Sequence, residues 1–144
     1  MATPLSLYVP IKQDSTSQST AQTLYANFVA LITPILTTID MVHFARFVLI
    51  PNLQTGTGIN SILLITTFDG AMNPYLSTFW TNGDGLHTII NEIAGIALTP
   101  PAEMPITTLN GFENFVNGNN LSQPSDLYES YSDTVPQVLA YNAG

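Results

Sequence analysis

Few groups in this chain can do chemistry near neutral pH: two histidines, two cations and ten carboxylates in 144 residues, with no cysteine. Without a thiol there is no thiolate nucleophile, no disulfide framework and no zinc-knuckle spacing. His43 and Arg46 fall in one apolar stretch, Val42 to Ile50, and Asp69 directly follows the next, Ser61 to Phe68. If Ile50 pairs near Ile62, antiparallel counting sets His43 opposite Asp69 and Arg46 opposite Thr66. A carboxylate beside the ring fixes the imidazole tautomer, which a general base can use, so His43 and Asp69 are the catalytic candidates. The same pair could instead tie together the open end of a hairpin.

Arg46 stands alone among apolar neighbours. Side chains alternate faces along a strand, so Arg46 lies with Phe44, Val48 and Ile50, while His43 lies with Ala45, Phe47 and Leu49. A guanidinium sequestered in such a layer requires a carboxylate, such as Asp40 or Asp69, or an anionic ligand. The ligand reading gathers Arg46, Phe44, Thr66, Tyr75 and Trp80 around an apolar pocket; the structural reading is an ion pair or a dimer contact. Tyr75, Phe79 and Trp80 also suit a plain core. His87, in the first turn of a helix, is either exposed or an axial haem or metal ligand. Two histidines with no third ligand at suitable spacing argue against zinc, and no metal site is assigned. Gly56-Thr57-Gly58 lacks the Gly-Lys-Ser/Thr ending and following helix of a phosphate loop, and reads as a hairpin loop. The serines lie in polar runs outside any nucleophile elbow. Asp126, Glu129 and Asp133 are placed toward solvent.

A single domain, residues 1–144, must position these groups. Its 45% hydrophobic content excludes global disorder, and its 8% charged content leaves solubility to Thr, Ser, Asn and Gln. The net charge of −8 repels phosphate backbones and anionic headgroups, which points away from nucleic acid and membrane surfaces. The N-terminal segment lacks the basic and long apolar regions of a signal peptide. The most apolar window, Leu24 to Leu36, is interrupted by Asn27, Thr33 and Pro34 and falls short of the roughly 20 residues that span a bilayer. The expected location is cytoplasmic.

Leu5 to Ile11 alternates as a first strand. Polar caps from Asp14 to Ser19 precede a helix whose stripe is Leu24, Phe28, Leu31, Ile32, Ile35 and Ile39, with Pro34 expected to kink or break it. Two strands follow, Val42 to Ile50 and Ser61 to Phe68, closed by the Asp69-Gly70 turn. Asn73-Pro74 starts a helix, and Leu86, Ile89, Ile90 and Ile93 form another that Gly95 ends. Pro100, Pro101 and Pro105 mark an extended segment, and Asn110 caps a further helix. Leu127 to Ser132 is the expected last strand, with Ile96 to Thr99 its rival, and Thr134 to Tyr141 adds a closing turn. This order predicts an α+β, ferredoxin-like βαββαβ antiparallel sheet with helices on one face plus extra C-terminal helices. An open apolar sheet face predicts a homodimer.

The runs Val42-His43-Phe44-Ala45-Arg46-Phe47, Phe68-Asp69-Gly70 with Tyr75-Leu76, and Tyr128 to Val135 resemble a group of uncharacterised proteins of the dimeric α+β barrel superfamily. That superfamily also holds dye-decolourising peroxidases, chlorite dismutases and small cofactor-free monooxygenases. The resemblance implies a dimeric α+β barrel. The glycine-aspartate motif of the peroxidases is not evident. Three functional expectations follow: a small-molecule-binding barrel with an apolar pocket and Arg46 as anchor; an oxidoreductase or monooxygenase using His43 and Asp69, or haem on His87; and a structural interaction module with no pocket.

Overall fold

A computed structural model describes residues 2–143, with the backbone alone at Asp84. Strands β1 (Ala2–Pro10), β2 (Val42–Pro51) and β3 (Ile59–Asp69) form one antiparallel sheet in the order β1-β3-β2. The central strand carries apolar residues on both sides, as a strand flanked by two neighbours should. Leu5, Leu7 and Val9 of β1 pair with Thr66, Leu64 and Ile62 of β3, and Ala45, Phe47 and Leu49 of β2 meet the same three residues from the other side. These side chains share one face, and most of the core stands on it.

The described residues also form five helices, α1 (Ser15–Ile39) between β1 and β2 and, after β3, α2 (Met72–Asn82), α3 (Asp84–Ile96), α4 (Leu109–Asn119) and α5 (Val135–Ala143). Asp14 caps α1, its carboxylate accepting the Ser17 amide at 2.9 Å. The helix buries Ser17, Ala21, Leu24, Phe28 and Ile32 and runs through Pro34 as one element. The expected break does not occur: the missing Pro34 N–H forfeits only the bond to Ala30 O, and turns on either side hold. By length and composition alone, α1 could cross a membrane. Helix α4 is capped by Thr108, whose hydroxyl accepts the Gly111 amide at 3.0 Å, and not by Asn110.

The barrel expectation fails, and with it the ferredoxin-like class predicted from the element order and the family resemblance that implied the barrel. The sheet has three strands and does not close. Leu127 to Ser132 forms no strand. The outer edge of β1 is met instead by one bridge between Leu7 and Asn120, with the Leu121 amide donating to Ser6 O at 2.9 Å. The Asn120 side chain accepts the Ser6 amide at 3.1 Å, and beyond Ser122 a 3-10 turn, Pro124–Asp126, still lies against β1. The rival, Ile96 to Thr99, contributes one bridge between Ile11 and Ala97.

Candidate functional site

The β2–β3 register differs by one residue from the simple count. Leu49 faces Ile62 and Arg46 faces Ile65, which in a regular ladder would set His43 opposite Phe68. A bulge between Val42 and Phe44 makes His43 the extra residue. Its ring is thereby re-aimed, and Nε2 lies 2.7 Å from Asp69 Oδ1, each side chain 15% exposed. A carboxylate only accepts, so Nε2–H donates and Nδ1 is the acceptor of the neutral ring. The second Asp69 oxygen accepts the Val135 amide at 2.8 Å. Val135 opens α5, so Asp69 satisfies one of the free N–H groups at that helix end. Gly70, at φ +86, turns the chain immediately after it.

The tail segment ahead of α5 is held at a second point, where Glu129 Oε2 accepts the Ala2 amide at 3.0 Å. Between these two clamps the tail stands off the sheet and leaves a hollow of about 200 Å³. Its sheet side carries His43, Phe44 and Thr67, and its tail side carries Tyr128, Glu129, Tyr131 and Asp133. Phe44, Tyr128 and Tyr131 are 75%, 88% and 65% exposed and form an aromatic rim. Asp133 is half-buried and makes no hydrogen bond or ion pair with a described residue.

No protein-family model matches the chain, and no curated protein or solved structure matches it significantly.

The structure brings His43 and Asp69 together and scatters the proposed ligand set. Arg46 shares the outer sheet face with Phe44, is exposed, and lines none of the hollows. Thr66 points to the opposite face, buried, with its hydroxyl 3.4 Å from that of Tyr75. Tyr75 stacks on Phe68 at 3.6 Å, and burial pushes its phenol well above the ordinary value. These two hydroxyls adjoin a void of about 40 Å³ between sheet and helices. That is far below the roughly 300 Å³ at which organic-ligand pockets begin. The arginine-anchored apolar pocket is thus overturned on both counts, position and size.

Trp80 stacks on the His87 ring at 3.6 Å, and the Trp80 carbonyl accepts the His87 Nε2–H at 2.7 Å. His87 is half-buried, and the nitrogen that a haem iron would use is committed to the backbone. With no barrel and the His87 Nε2 committed, the haem and monooxygenase readings lose their support.

Glu129 and Asp133, expected to face solvent, line one wall of the hollow with Tyr128 and Tyr131, whereas Asp126 is exposed as expected. The available signal was the alternation of aromatic and acidic side chains in Tyr128-Glu129-Ser130-Tyr131-Ser132-Asp133. A larger hollow of about 550 Å³ lies between the proline segment and α4. Its carboxylate, Glu103, is already spent: Oε1 accepts the amides of Thr107 and Thr108 at 3.0 and 3.1 Å, and Oε2 accepts the Thr108 hydroxyl at 2.7 Å. In the hollow beside His43, Asp133 is not committed in this way.

Proposed function

We propose that the chain is a recognition domain for a positively charged organic group, an amine or a guanidinium on a flexible stem, taken into the hollow between the sheet end and the tail. The observation that carries this is Asp133: a half-buried carboxylate facing a hollow with no bonded partner among the described residues. A carboxylate drawn partly out of water favours a cation beside it. Three exposed aromatic rings at the same rim offer their electron-rich faces, each worth about 0.5–1 kcal/mol to a cation at an exposed site. A net charge of −8 raises the local concentration of cations around such a cleft. His43, held by Asp69, forms part of the sheet wall of the same hollow.

Titrating dilute protein with N-acetyl-arginine amide, and in parallel with its uncharged citrulline counterpart, tests the reading. Saturable shifts in the ring signals of Tyr128 and Tyr131 are expected with the arginine probe and not with citrulline. Equal responses to both would show that charge plays no part.

A further inference from the structure

The outer face of the sheet carries a cation without a partner among the described residues. Phe44, Arg46, Val48 and Ile50 of β2 and Leu63 and Ile65 of β3 point away from the helices, and none of their apolar members belongs to the core. Arg46 is exposed there without a hydrogen bond or ion pair among the described residues. Phe44 belongs both to this face and to the rim of the acidic hollow. Arg46 therefore stands one same-face step, about 7 Å, from the wall of a site that suits a guanidinium.

We infer that the occupant of the hollow is Arg46 of a second copy of this chain, in a two-fold dimer that buries the outer sheet face. This rests on the reading of the hollow as a cation site. A two-fold contact requires a self-complementary patch, in which the donor of each copy meets the acceptor of the other. Here donor and acceptor sit side by side on one face, so a two-fold axis passing between them pairs both at once. The apolar residues around Arg46 supply the area that charge alone does not. Three strands at about 4.8 Å spacing and nine residues at about 3.4 Å give a footprint of about 400 Å². A standard interface takes about 800 Å² per partner, so the strands alone fall short. The exposed tail aromatics, Tyr128 and Tyr131, border the same face and add to it.

Sedimentation velocity over a concentration series, with circular dichroism confirming the fold of each variant, decides the matter. The wild-type chain is expected to dimerise. Arg46→Glu should weaken the dimer roughly 100-fold, because it sets like charges against each other at both symmetric contacts. The double variant Arg46→Glu/Asp133→Arg exchanges the two charges and should restore dimerisation. A wild-type chain that stays monomeric, or a dimer indifferent to Arg46→Glu, overturns the inference. So does a double variant that stays monomeric. A monomeric wild type in which Arg46 is protected by its own hollow would place the contact within one chain and overturn it equally. The arginine probe separates the two levels of the argument. If the wild type is monomeric yet binds the probe, the hollow remains a cation site and only its occupant was misassigned. If neither the wild type at high dilution nor the Arg46→Glu monomer binds it, the cation reading itself falls.

Discussion

Asp69 is the side chain on which the candidate site turns, because its two oxygens bind groups from two distant segments. One holds the His43 ring and the other the first amide of α5, at 2.7 and 2.8 Å. Replacing Asp69 by Ala leaves two partly buried donors unmatched. The expected cost is about 1–3 kcal/mol in a urea titration, with faster amide exchange at Val135. A loss confined to His43, with Val135 still protected, would mean that α5 is held by other contacts. Glu103 makes a second such clasp. Its carboxyl is held below the usual range chiefly by the Thr108 hydroxyl, then by the Thr107 amide. A lowered folded-state value means that the stabilisation is full above the ordinary value of 4.5 and is lost as pH falls through the depressed one. Protection of the Thr107 and Thr108 amides, taken relative to their intrinsic exchange at each pH, should therefore fall only in acid below that ordinary value. Gly111→Ala should reproduce the effect at neutral pH. A Cβ there would sit 2.6 Å from the Glu103 carboxyl carbon, and a carboxylate fixed by several hydrogen bonds cannot yield cheaply.

At the scale of elements, α1 carries a correctable defect. Pro34 is exposed, so replacing it by Ala removes no packing while restoring the bond to Ala30 O. The chain should gain about 1–3 kcal/mol, read as a higher urea midpoint with an unchanged slope. No gain would mean that the helix has already adapted around the ring. The same element shows what sequence could and could not say. Its stripe of Leu24, Phe28 and Ile32 was legible because burial on one side imposes helical spacing. The adjacent strands were legible for the same reason at period 2. Which face of β2 met the helices was not. Ala45, Phe47 and Leu49 on one side and Phe44, Val48 and Ile50 on the other are comparably apolar, so Arg46 was assigned to the wrong layer. The bulge at His43 was also invisible, since it adds a residue without altering composition. Leu127 to Ser132 looked like a strand, but periodicity reports an apolar side and not the availability of an edge. At β1 the edge was already met by Asn120 and Leu121.

The molecule as a whole divides into a packed body and an arm. Every buried apolar residue precedes the tail, the last being Val116, and neither the 3-10 turn nor α5 buries one. The arm is attached mainly by polar clamps, Glu129 to the Ala2 amide and Asp69 to the Val135 amide. At about 1 kcal/mol for each hydrogen bond, their loss removes about 2 kcal/mol, equivalent to about 4–8 °C in a domain of this size. A chain ended at Ser122 keeps the hydrogen bonds that cover the edge of β1, including Ser122 Oγ to Ser6 Oγ at 2.6 Å. It should melt cooperatively, a few degrees below the full chain. The same truncation removes Tyr128, Tyr131 and Asp133 and should abolish the response to the arginine probe. A collapse of cooperative melting would show that the arm completes the core. A surviving probe response would place cation recognition on the body, since only the arm supplies the acidic wall of the hollow facing His43 and Phe44.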